Sequence, residues 1–397
     1  MRGEGMNQTG HVQLSEIASL ITKGTTPTTI GYEFQDSGIN FLKIECFDEY
    51  GNYIEPKVAH ISGECHEKLK RSQLESGDIL FSIAGVIGRV AIVTDEMLPA
   101  NTNQALAIIR ITREDVYLPY IKLILSSPLV KEQFEKKKQG VAQLNISLKD
   151  INELTIPLPE LNEQIALTAL FEKAAGIIAK RQQQLSALDD LIKARFIEMF
   201  EQGNYPQVEF GEICEHLRNG ANIKQTKGAG GYPITRIETL ANDVFNIDRL
   251  GYANIFELGK YENYLLNPGD ILISHINSTA YLGRAVQYRG QMSSPIIHGM
   301  NLLCARIAKG YNPTYIEFFF KTPSAKEYIS SITKKAVNQA SITTSDLKKM
   351  LVPAPSLEKQ NEFDQFVHQV DKSKSVIQKS LDETQLLFDS LMQKYFG

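Results

Sequence analysis

Residues 156–164 read Ile-Pro-Leu-Pro-Glu-Leu-Asn-Glu-Gln, and residues 352–360, which lie 196 positions further on, read Val-Pro-Ala-Pro-Ser-Leu-Glu-Lys-Gln. Further identities at the same displacement precede both stretches. They pair Val12, Glu16, Ile17, Gly24, Gln143, Ile146 and Asp150 with Val208, Glu212, Ile213, Gly220, Gln339, Ile342 and Asp346. Because these identities keep their order over nearly the whole chain, the sequence predicts two tandem copies, each about 196 residues long.

The composition is that of an ordinary globular protein. The 397 residues are 43% hydrophobic and 22% charged, with 27 Gly and 15 Pro, which excludes collagen-like, low-complexity and largely disordered chains. At roughly 100–200 residues per domain, this length predicts two or three domains. The formal net charge is −4, so the chain lacks the global basic field of a stand-alone, non-specific nucleic-acid binder.

Several features of the sequence predict a cytoplasmic location. Without a run of about 18 apolar residues, we expect no membrane span. Residues 1–11 are polar and lack the apolar segment of a secretory signal. Four scattered cysteines without a C-x-x-C pair indicate reduced structural thiols, and neither a metal site nor a disulfide framework. They are Cys46, Cys65, Cys214 and Cys304.

Each copy divides into a mixed first part and a helical second part, which predicts an α+β fold. Residues 79–84 and 89–93 are β-branched runs on either side of a Gly-rich turn, and they predict paired strands. Residues 120–138 and 315–332 have helical periodicity. A stiff P-x-P element ends each first part. The predicted divisions are a first α/β domain at 1–158, a central helical region at 159–202, a second α/β domain at 203–354 and a distal helical region at 355–397.

Both helical regions carry apolar residues at alternating spacings of four and three. Because the heptad phase is preserved at a displacement of 196, we predict that the two long helices form an antiparallel coiled coil, with the copies related by a pseudo-two-fold axis. The alternative is that each helix packs only on its own domain. The predicted seam includes Ile178, Leu185, Leu188 and Ile192 in the first helix and Ile377, Leu381, Phe388 and Leu391 in the second.

We predict no catalytic and no metal-binding residues. Asn312-Pro313-Thr314-Tyr315 resembles the N-P-P-Y signature of amino-methyltransferases, but a helix is predicted to begin there and no Gly-rich cofactor loop precedes it. A P-loop pattern is also missing, so we expect no nucleotide hydrolysis by this chain.

Polar and basic residues concentrate in loops that follow predicted strands, in both copies. Hydroxyls, amides and basic side chains there can clamp phosphates, whereas Asn, Gln and Arg can read base edges. The predicted DNA-binding residues are Lys23, Thr25, Thr26, Arg89, Asn101, Asn103 and Gln104 in copy one and Arg218, Asn219, Lys224, Ser274, Asn277 and Arg284 in copy two. For Arg89 and Arg284 the alternative is a structural ion pair with Asp78 and Asp270, which recur in step with them.

The whole chain resembles the specificity (S) subunits of type I restriction–modification systems. The resemblance lies in Lys23-Gly24-Thr25-Thr26-Pro27, in Gly77-Asp78-Ile79-Leu80 followed by Gly88-Arg89, and in residues 143–164 with their copy at 353–360. Copy two departs from the first motif, since Asn219-Gly220-Ala221-Asn222 lacks the Thr-Pro.

This resemblance implies two target-recognition domains that each read one half of a split sequence in double-stranded DNA. It implies that the helices set the spacing and dock two methyltransferase subunits, which restriction–translocase subunits join. It also implies that the chain itself has no cofactor, whereas its partners use S-adenosylmethionine, ATP and magnesium. The alternatives are a coiled-coil scaffold that joins two binding domains, and a degenerate methyltransferase.

Overall fold

The computed structural model describes residues 10–136, 146–201, 203–225, 230–335 and 340–396. Gln143, Asn145 and Gln339 of the predicted repeat lie outside these residues. The chain folds into two compact units: unit 1 combines Met1–Gln182 with Lys379–Gly397, and unit 2 is Gln183–Gln378. Among the described helices, none has the length and apolar character needed to cross a membrane.

Unit 1 contains nine described strands and parts of two long helices. Its strands are β1 (His11–Gln13), β2 (Leu20–Lys23), β3 (Ile39–Leu42), β4 (Ala59–Ile61), β5 (Ile79–Ser82), β6 (Val90–Ile92), β7 (Ala100–Thr102), β8 (Leu106–Arg110) and β9 (Thr155–Pro157). Its helices are α1 (Leu14–Ile17), α2 (Gly63–Lys68), α3 (Leu118–Leu125), α4 (Pro128–Lys136), α5 (Leu148–Asn152) and the first part of α6 (Leu161–Phe196).

The central sheet of unit 1 has the strand order β2-β8-β5-β6, with every neighbouring pair antiparallel. β5 pairs with β6 through Ile79 opposite Ile92 and Phe81 opposite Val90, which confirms the predicted strand pair. Ile79 and Phe81 face a core that includes α3, whereas Leu80 faces a second core on the other side. β5 is therefore buried along its whole length, which makes the sheet a firm support for the loops at its ends.

Unit 2 repeats this design. Its strands are β10 (Gln207–Glu209), β11 (Cys214–Asn219), β12 (Pro233–Ile234), β13 (Gly251–Tyr252), β14 (Ile271–Ser274), β15 (Ile276–Asn277), β16 (Ala285–Gln287), β17 (Leu302–Ile307), β18 (Lys334–Lys335), β19 (Ala340–Ser341) and β20 (Leu351–Pro353). Its helices are the end of α6, α7 (Phe210–Ile213), α8 (Pro313–Phe319), α9 (Pro323–Ser331), α10 (Thr344–Lys348) and most of α11 (Leu357–Phe396). The central sheet has the order β11-β17-β14-β16, which matches β2-β8-β5-β6 and confirms the duplication.

The two segments with helical periodicity, at 120–138 and 315–332, are largely helical, and each contains two helices. α3 ends at Leu125 and α4 begins at Pro128, and α8 and α9 are likewise separated before Pro323. A proline cannot donate the i→i−4 hydrogen bond, and its ring clashes with the preceding turn, so a new helix begins at each proline.

Buried glutamines explain why the P-x-P elements and the residues after them recur. The side chain of Gln164 donates to the Pro159 carbonyl at 2.8 Å and accepts from the Tyr117 amide at 2.8 Å. Gln360 makes the same pair of bonds, to the Pro355 carbonyl at 2.8 Å and from the Asn312 amide at 2.9 Å. Both glutamines are fully buried. Each therefore joins the start of a long helix to the segment before α3 or α8.

The tyrosines of α3 and α8 have structural roles as well. Tyr120 donates to the Pro157 carbonyl at 3.1 Å, and Tyr315 donates to the Pro353 carbonyl at 2.7 Å. Asn312 caps α8 by accepting from the Thr314 amide at 2.8 Å. The Asn-Pro-Thr-Tyr stretch thus begins a helix, as expected from the sequence.

The long helices α6 and α11, of 36 and 40 residues, contribute to the core of each unit. In unit 1, Phe171 of α6 packs against Phe388 and Phe396 of α11, with ring centroids 5.4 Å apart in both pairs. In unit 2, Phe196 packs against Phe363 at 5.3 Å.

Two ion pairs show the relative direction of these helices in unit 2. Asp189 pairs with Lys374 at 2.6 Å, and Arg195 pairs with Glu362 at 3.0 Å. Because the position in α11 falls as the position in α6 rises, the two segments run antiparallel in this unit. Of the predicted seam residues in unit 2, Ile192 is buried, Leu188 packs at the edge of the same core, and Leu185 and Ile377 are half-buried.

The remaining predicted seam residues belong to unit 1. Ile178 is buried, and Leu381 is half-buried. Phe388 and Leu391 pack against the core that contains Phe171.

Candidate nucleic-acid interface

The antiparallel sheet of unit 1 gathers three loops at one of its ends. β2 ends at Lys23 and β5 ends at Ser82, while β6 and β8 begin at that same end. Residues 24–31, 83–89 and 103–105 therefore lie side by side, and we call them the loop edge of unit 1. The loops touch: the Thr25 amide donates to the Thr102 carbonyl at 3.1 Å, and the Ile83 amide donates to the Ala105 carbonyl at 2.9 Å.

Unit 2 has the same arrangement, in which residues 220–225, 275–284 and 299–301 form its loop edge. Here the Ala221 amide donates to the His298 carbonyl at 2.7 Å. A short sheet, β15-β19-β18, extends this edge, since Asn277 of β15 lies opposite Ala340 of β19. Both units thus present three adjacent loops on the end of a buried sheet.

Gly24 and Gly220 permit the loops to cross closely. A Cβ atom at Gly24 would lie 2.1 Å from the Thr102 carbonyl oxygen, and one at Gly220 would lie 2.3 Å from the backbone of Gly299. Any side chain at either position would therefore push the first loop away from its neighbour. This close approach explains why a glycine recurs at this point in both copies.

The six loops contain no Asp or Glu, although the chain has 46 of these residues. The recurring acids lie at the opposite end of each sheet, before β5 and β14. Asp78 holds Arg110 through two bonds of 2.7 and 2.8 Å, and Asp270 holds Arg306 through bonds of 2.8 and 2.7 Å. The residues of the six loops themselves therefore carry no negative charge that would repel phosphate groups.

The predicted residues of unit 1 divide into accessible and buried groups. Lys23 and Gln104 are exposed, whereas Thr25, Thr26 and Asn103 are half-buried. The Thr26 hydroxyl donates to the Gln104 side chain, which joins two of the loops.

Asn101, by contrast, has no exposed surface. Its amide donates to the Leu69 carbonyl and the Ser72 hydroxyl at 3.1 Å each, and its oxygen contacts His66. These bonds assign the Asn101 side chain to internal packing.

In unit 2, Asn219 and Lys224 are exposed and Asn277 is half-buried. Arg218 is also half-buried, and its guanidinium lies over the Tyr264 ring, 5.1 Å from the centroid. Ser274 is buried and accepts a 3.3 Å hydrogen bond from the Asn277 amide group, so it supports the loop from beneath.

The suggested ion pairs of Arg89 with Asp78 and of Arg284 with Asp270 are wrong. Arg89 donates to the carbonyls of Ile44 and Phe47, at 3.3 and 2.8 Å. These bonds tie the Arg89 guanidinium to the layer that covers the sheet.

Arg284 makes the corresponding contact in unit 2. It donates to the Leu240 carbonyl at 2.9 Å and pairs with Asp243 at 2.7 Å. Both arginines thus hold a covering loop against the strand that follows the loop edge.

Unit 2 has buried histidines beneath its loop edge, where unit 1 has Ile83 and Thr102. Burial lowers the pKa of His298 to about 4, and it also lowers the pKa of His275. The Nε2 atom of His298 donates to the Leu302 carbonyl at 2.8 Å, and its Nδ1 atom has no partner among the described residues. These imidazoles are therefore neutral at pH 7.

Two basic residues at the loop edges were not among the predicted ones. Arg71 reaches the Thr25 hydroxyl at 3.5 Å, and Lys334 is exposed at the start of β18. The adjacent basic pairs at residues 70–71 and 334–335 are the sequence signal for them, but pairs of this kind are common on protein surfaces. Nowhere in the part of the chain that the structure describes do three His, Cys, Asp or Glu side chains converge on a potential metal site.

The two units have sheets with the same strand order, and each sheet carries a separate set of loops at one end. This arrangement is that of a duplicated binding protein. A family model for the type I restriction modification DNA specificity domain matches the chain twice, over residues 8–198 and 203–384. The chain therefore belongs to this family.

Two relatives illustrate the similarity. The chain is 33% identical over 213 residues to the type I restriction enzyme MjaX specificity subunit of Methanocaldococcus jannaschii, which covers 50% of each protein. It is 22% identical over 298 residues to the EcoKI specificity subunit of Escherichia coli, which covers 70% of this chain and 64% of that protein. The chain thus spans between about half and somewhat less than two thirds of these relatives.

Solved structures share the fold. A chain from work on complex assembly and conformational transition of the type I R-M system aligns with a TM-score of 0.62 at 19% identity, over 99% of both chains. The type I restriction–modification S subunit of M. genitalium aligns with a TM-score of 0.54 at 16% identity, over 99% of this chain and 98% of that one.

Proposed function

We propose that the chain is the DNA specificity subunit of a type I restriction–modification complex, and that each unit reads one half of a bipartite double-stranded target. The observation that carries this proposal is the pair of loop edges, in which six loops without a carboxylate present Lys, Asn, Gln and Thr side chains. Such groups donate to phosphates and to base edges. Membership of the family supports the same assignment.

The exposed residues suggest a division of labour within each unit. Lys23 and Lys224 end or follow the first strand of the sheet, where a flexible ammonium group suits a phosphate. Gln104, Asn219 and Asn277 carry amides, which suit the donor and acceptor pattern of bases in the major groove.

The long helices would set the distance between the half-sites as one continuous antiparallel coiled coil, with a pseudo-two-fold axis between the copies. Antiparallel packing in unit 2 and the paired aromatic residues in unit 1 support this proposal. At ~1.5 Å per residue, helices of 36 and 40 residues are about 55–60 Å long. Inserting one heptad after Leu188 adds ~10 Å, so the gap in the target should grow by about three base pairs at ~3.4 Å each.

The proposed subunit performs no chemistry itself. Two methyltransferase subunits would dock on the helical regions and use S-adenosylmethionine, and restriction–translocase subunits would add ATP- and magnesium-dependent steps in the cytoplasm. A net charge of −4 fits a reader whose partners supply many of the phosphate contacts.

Selection from randomised duplexes tests the proposal. The chain, assembled with its methyltransferase partner, should enrich a split motif, and replacing residues 203–354 by those of a homologue should change only one half of it. A coiled-coil scaffold would enrich no sequence, and a swap that altered both halves would contradict independent reading.

A further inference from the structure

The loop between β5 and β6 in unit 1, and the equivalent loop between β14 and β16 in unit 2, each expose one large apolar side chain. Val86 is 56% exposed and Tyr281 is 48% exposed. Each lies two residues before a glycine with positive φ, which is 87° at Gly88 and 74° at Gly283. The loop of unit 2 is three residues longer than that of unit 1, yet this spacing is kept. The fold therefore retains an outward apolar position while residue type and loop length change.

Both loops are anchored on a buried serine of the central strand. In unit 1 the Ser82 amide donates to the Arg89 carbonyl at 2.9 Å, and the Gly88 amide donates to the Ser82 carbonyl at 3.1 Å. In unit 2 the equivalent bonds made by Ser274 measure 2.9 and 2.8 Å. Because the loop backbone is held on both sides, the exposed side chain is positioned before any ligand binds, which lowers the entropy lost on binding.

The arginine that follows the loop also holds Tyr281 in place. The Arg284 guanidinium lies 4.8 Å from the centroid of the Tyr281 ring. Arg284 is itself fixed by Asp243 and by the Leu240 carbonyl. A ring that rests on an immobilised cation is a rigid contact surface.

The surroundings favour DNA over a protein as the ligand of these side chains. Val86 and Tyr281 stand in loops without carboxylates, and the same loop edges expose Gln104 in unit 1 and Lys224 in unit 2. Neither surface would therefore repel the phosphate groups of DNA. The major groove of DNA places apolar and hydrogen-bonding groups side by side. There the C5 position of each pyrimidine, which carries a methyl group in thymine and a hydrogen in cytosine, lies beside hydrogen-bonding groups.

We propose that Val86 and Tyr281 each contact the C5 side of one pyrimidine in the half-site that its unit reads, and thereby contribute to the choice between thymine and cytosine there. This inference rests on the proposed DNA-reading function. It assigns Arg89 and Arg284 a positioning role, since both guanidinium groups are occupied by contacts within their own unit.

The test uses the selected target and the chain assembled with its methyltransferase partner. Every base pair contains one pyrimidine, so each is changed in turn, thymine to uracil or cytosine to 5-methylcytosine, and the affinity is measured. For the wild-type complex we expect one pair in each half-site at which the methyl group changes affinity about three- to five-fold, which corresponds to the burial of one methyl group.

The variants assign that effect to a residue. Val86→Ser should abolish it in one half-site and leave the other unchanged, Tyr281→Ser should do the reverse, and Tyr281→Phe should retain it. Leu351→Ser is the matched control, because Leu351 is also 56% exposed but lies on β20, outside the loop edge. It should leave every methyl effect in place.

Three results would overturn the inference. In the first, the complex selects a bipartite site, but Val86→Ser and Tyr281→Ser keep all methyl effects, which leaves the proposed function standing. In the second, either variant weakens association with the methyltransferase without DNA, which makes the position a protein contact. In the third, the wild-type complex selects no sequence, and the proposed function fails as well.

Discussion

Lowering the pH from 7 to 5 should destabilise unit 2 and leave unit 1 nearly unchanged. The cause is His298, which is buried in its neutral form beneath the loop edge of unit 2. Its Nδ1 atom has no acceptor among the described residues, and the positive charge of Arg218 adds to the cost of protonation. The hydrogen bond to the Leu302 carbonyl and the negative charge of Asp270 favour the charged ring, but burial outweighs both.

The magnitude follows from the two pKa values. In the unfolded chain the His298 imidazole has its ordinary pKa of 6.5, whereas burial lowers the pKa in the folded state to about 4. Between these values the unfolded state binds the proton and the folded state does not, so the free energy of unfolding falls as the pH falls. Each pH unit crossed costs about 1.4 kcal/mol, and the range from pH 7 to pH 5 therefore costs about 2 kcal/mol.

The cysteines allow each unit to be followed separately. Cys46 and Cys65 are free and buried in unit 1, and Cys304 is free and buried in unit 2. The rate at which a disulfide reagent active in mild acid labels each thiol, relative to its rate in the unfolded chain, gives the free energy of opening at that site. Peptide mass spectrometry identifies the labelled residue.

A matched variant isolates the histidine. His298→Thr installs the residue that stands at the equivalent position in unit 1, Thr102, and should remove most of the pH dependence at Cys304, whatever its effect at pH 7. His275 and His216, whose pKa values burial also lowers, should account for the dependence that remains. Equal losses at Cys46 and Cys304, or an undiminished dependence in His298→Thr, would refute the reasoning.

Three further perturbations test other parts of the structure. Gln360→Leu leaves one backbone carbonyl and one backbone amide without their side-chain partner, and Gln164→Leu leaves two carbonyls and one amide without theirs, so each should lower the stability of its unit by about 2–4 kcal/mol. Thiol labelling of each unit checks this, and a loss below about 0.5 kcal/mol in both would contradict it. Lys23→Ala or Lys224→Ala should weaken binding of the assembled complex to all sequences alike and reduce the slope of log K against log salt by about one, whereas a change confined to one base position would make that lysine a base reader. The purified chain alone should transfer no methyl group from S-adenosylmethionine to DNA, as measured with a labelled cofactor. Transfer above background would contradict the prediction that the chain has no catalytic residues.

The sequence showed which motifs recur, but only the structure showed which contacts the recurring residues make. Gln164 and Gln360 recur because the side chain of each joins the carbonyl of the second proline in the P-x-P element to a backbone amide before α3 or α8, and those two groups come from segments far apart in the chain. Helical periodicity likewise identified the region of α3 and α4, but the break before Pro128 showed that a local proline decides where one helix ends.

The amino-acid sequence by itself determined the duplication, the strand pair of β5 and β6 and the two long helices, because these depend on spacing along the chain. The tertiary structure decided which side chains meet. Strand register places Ile79 opposite Ile109, so Asp78 faces Arg110 and leaves Arg89 to the covering loop. Antiparallel pairing also brought loops some 60 to 80 residues apart to one edge of the sheet. Asn101 is instead buried against Leu69 and Ser72. Strand register and side-chain burial depend on contacts between segments that are distant in the chain, so local sequence patterns do not predict them.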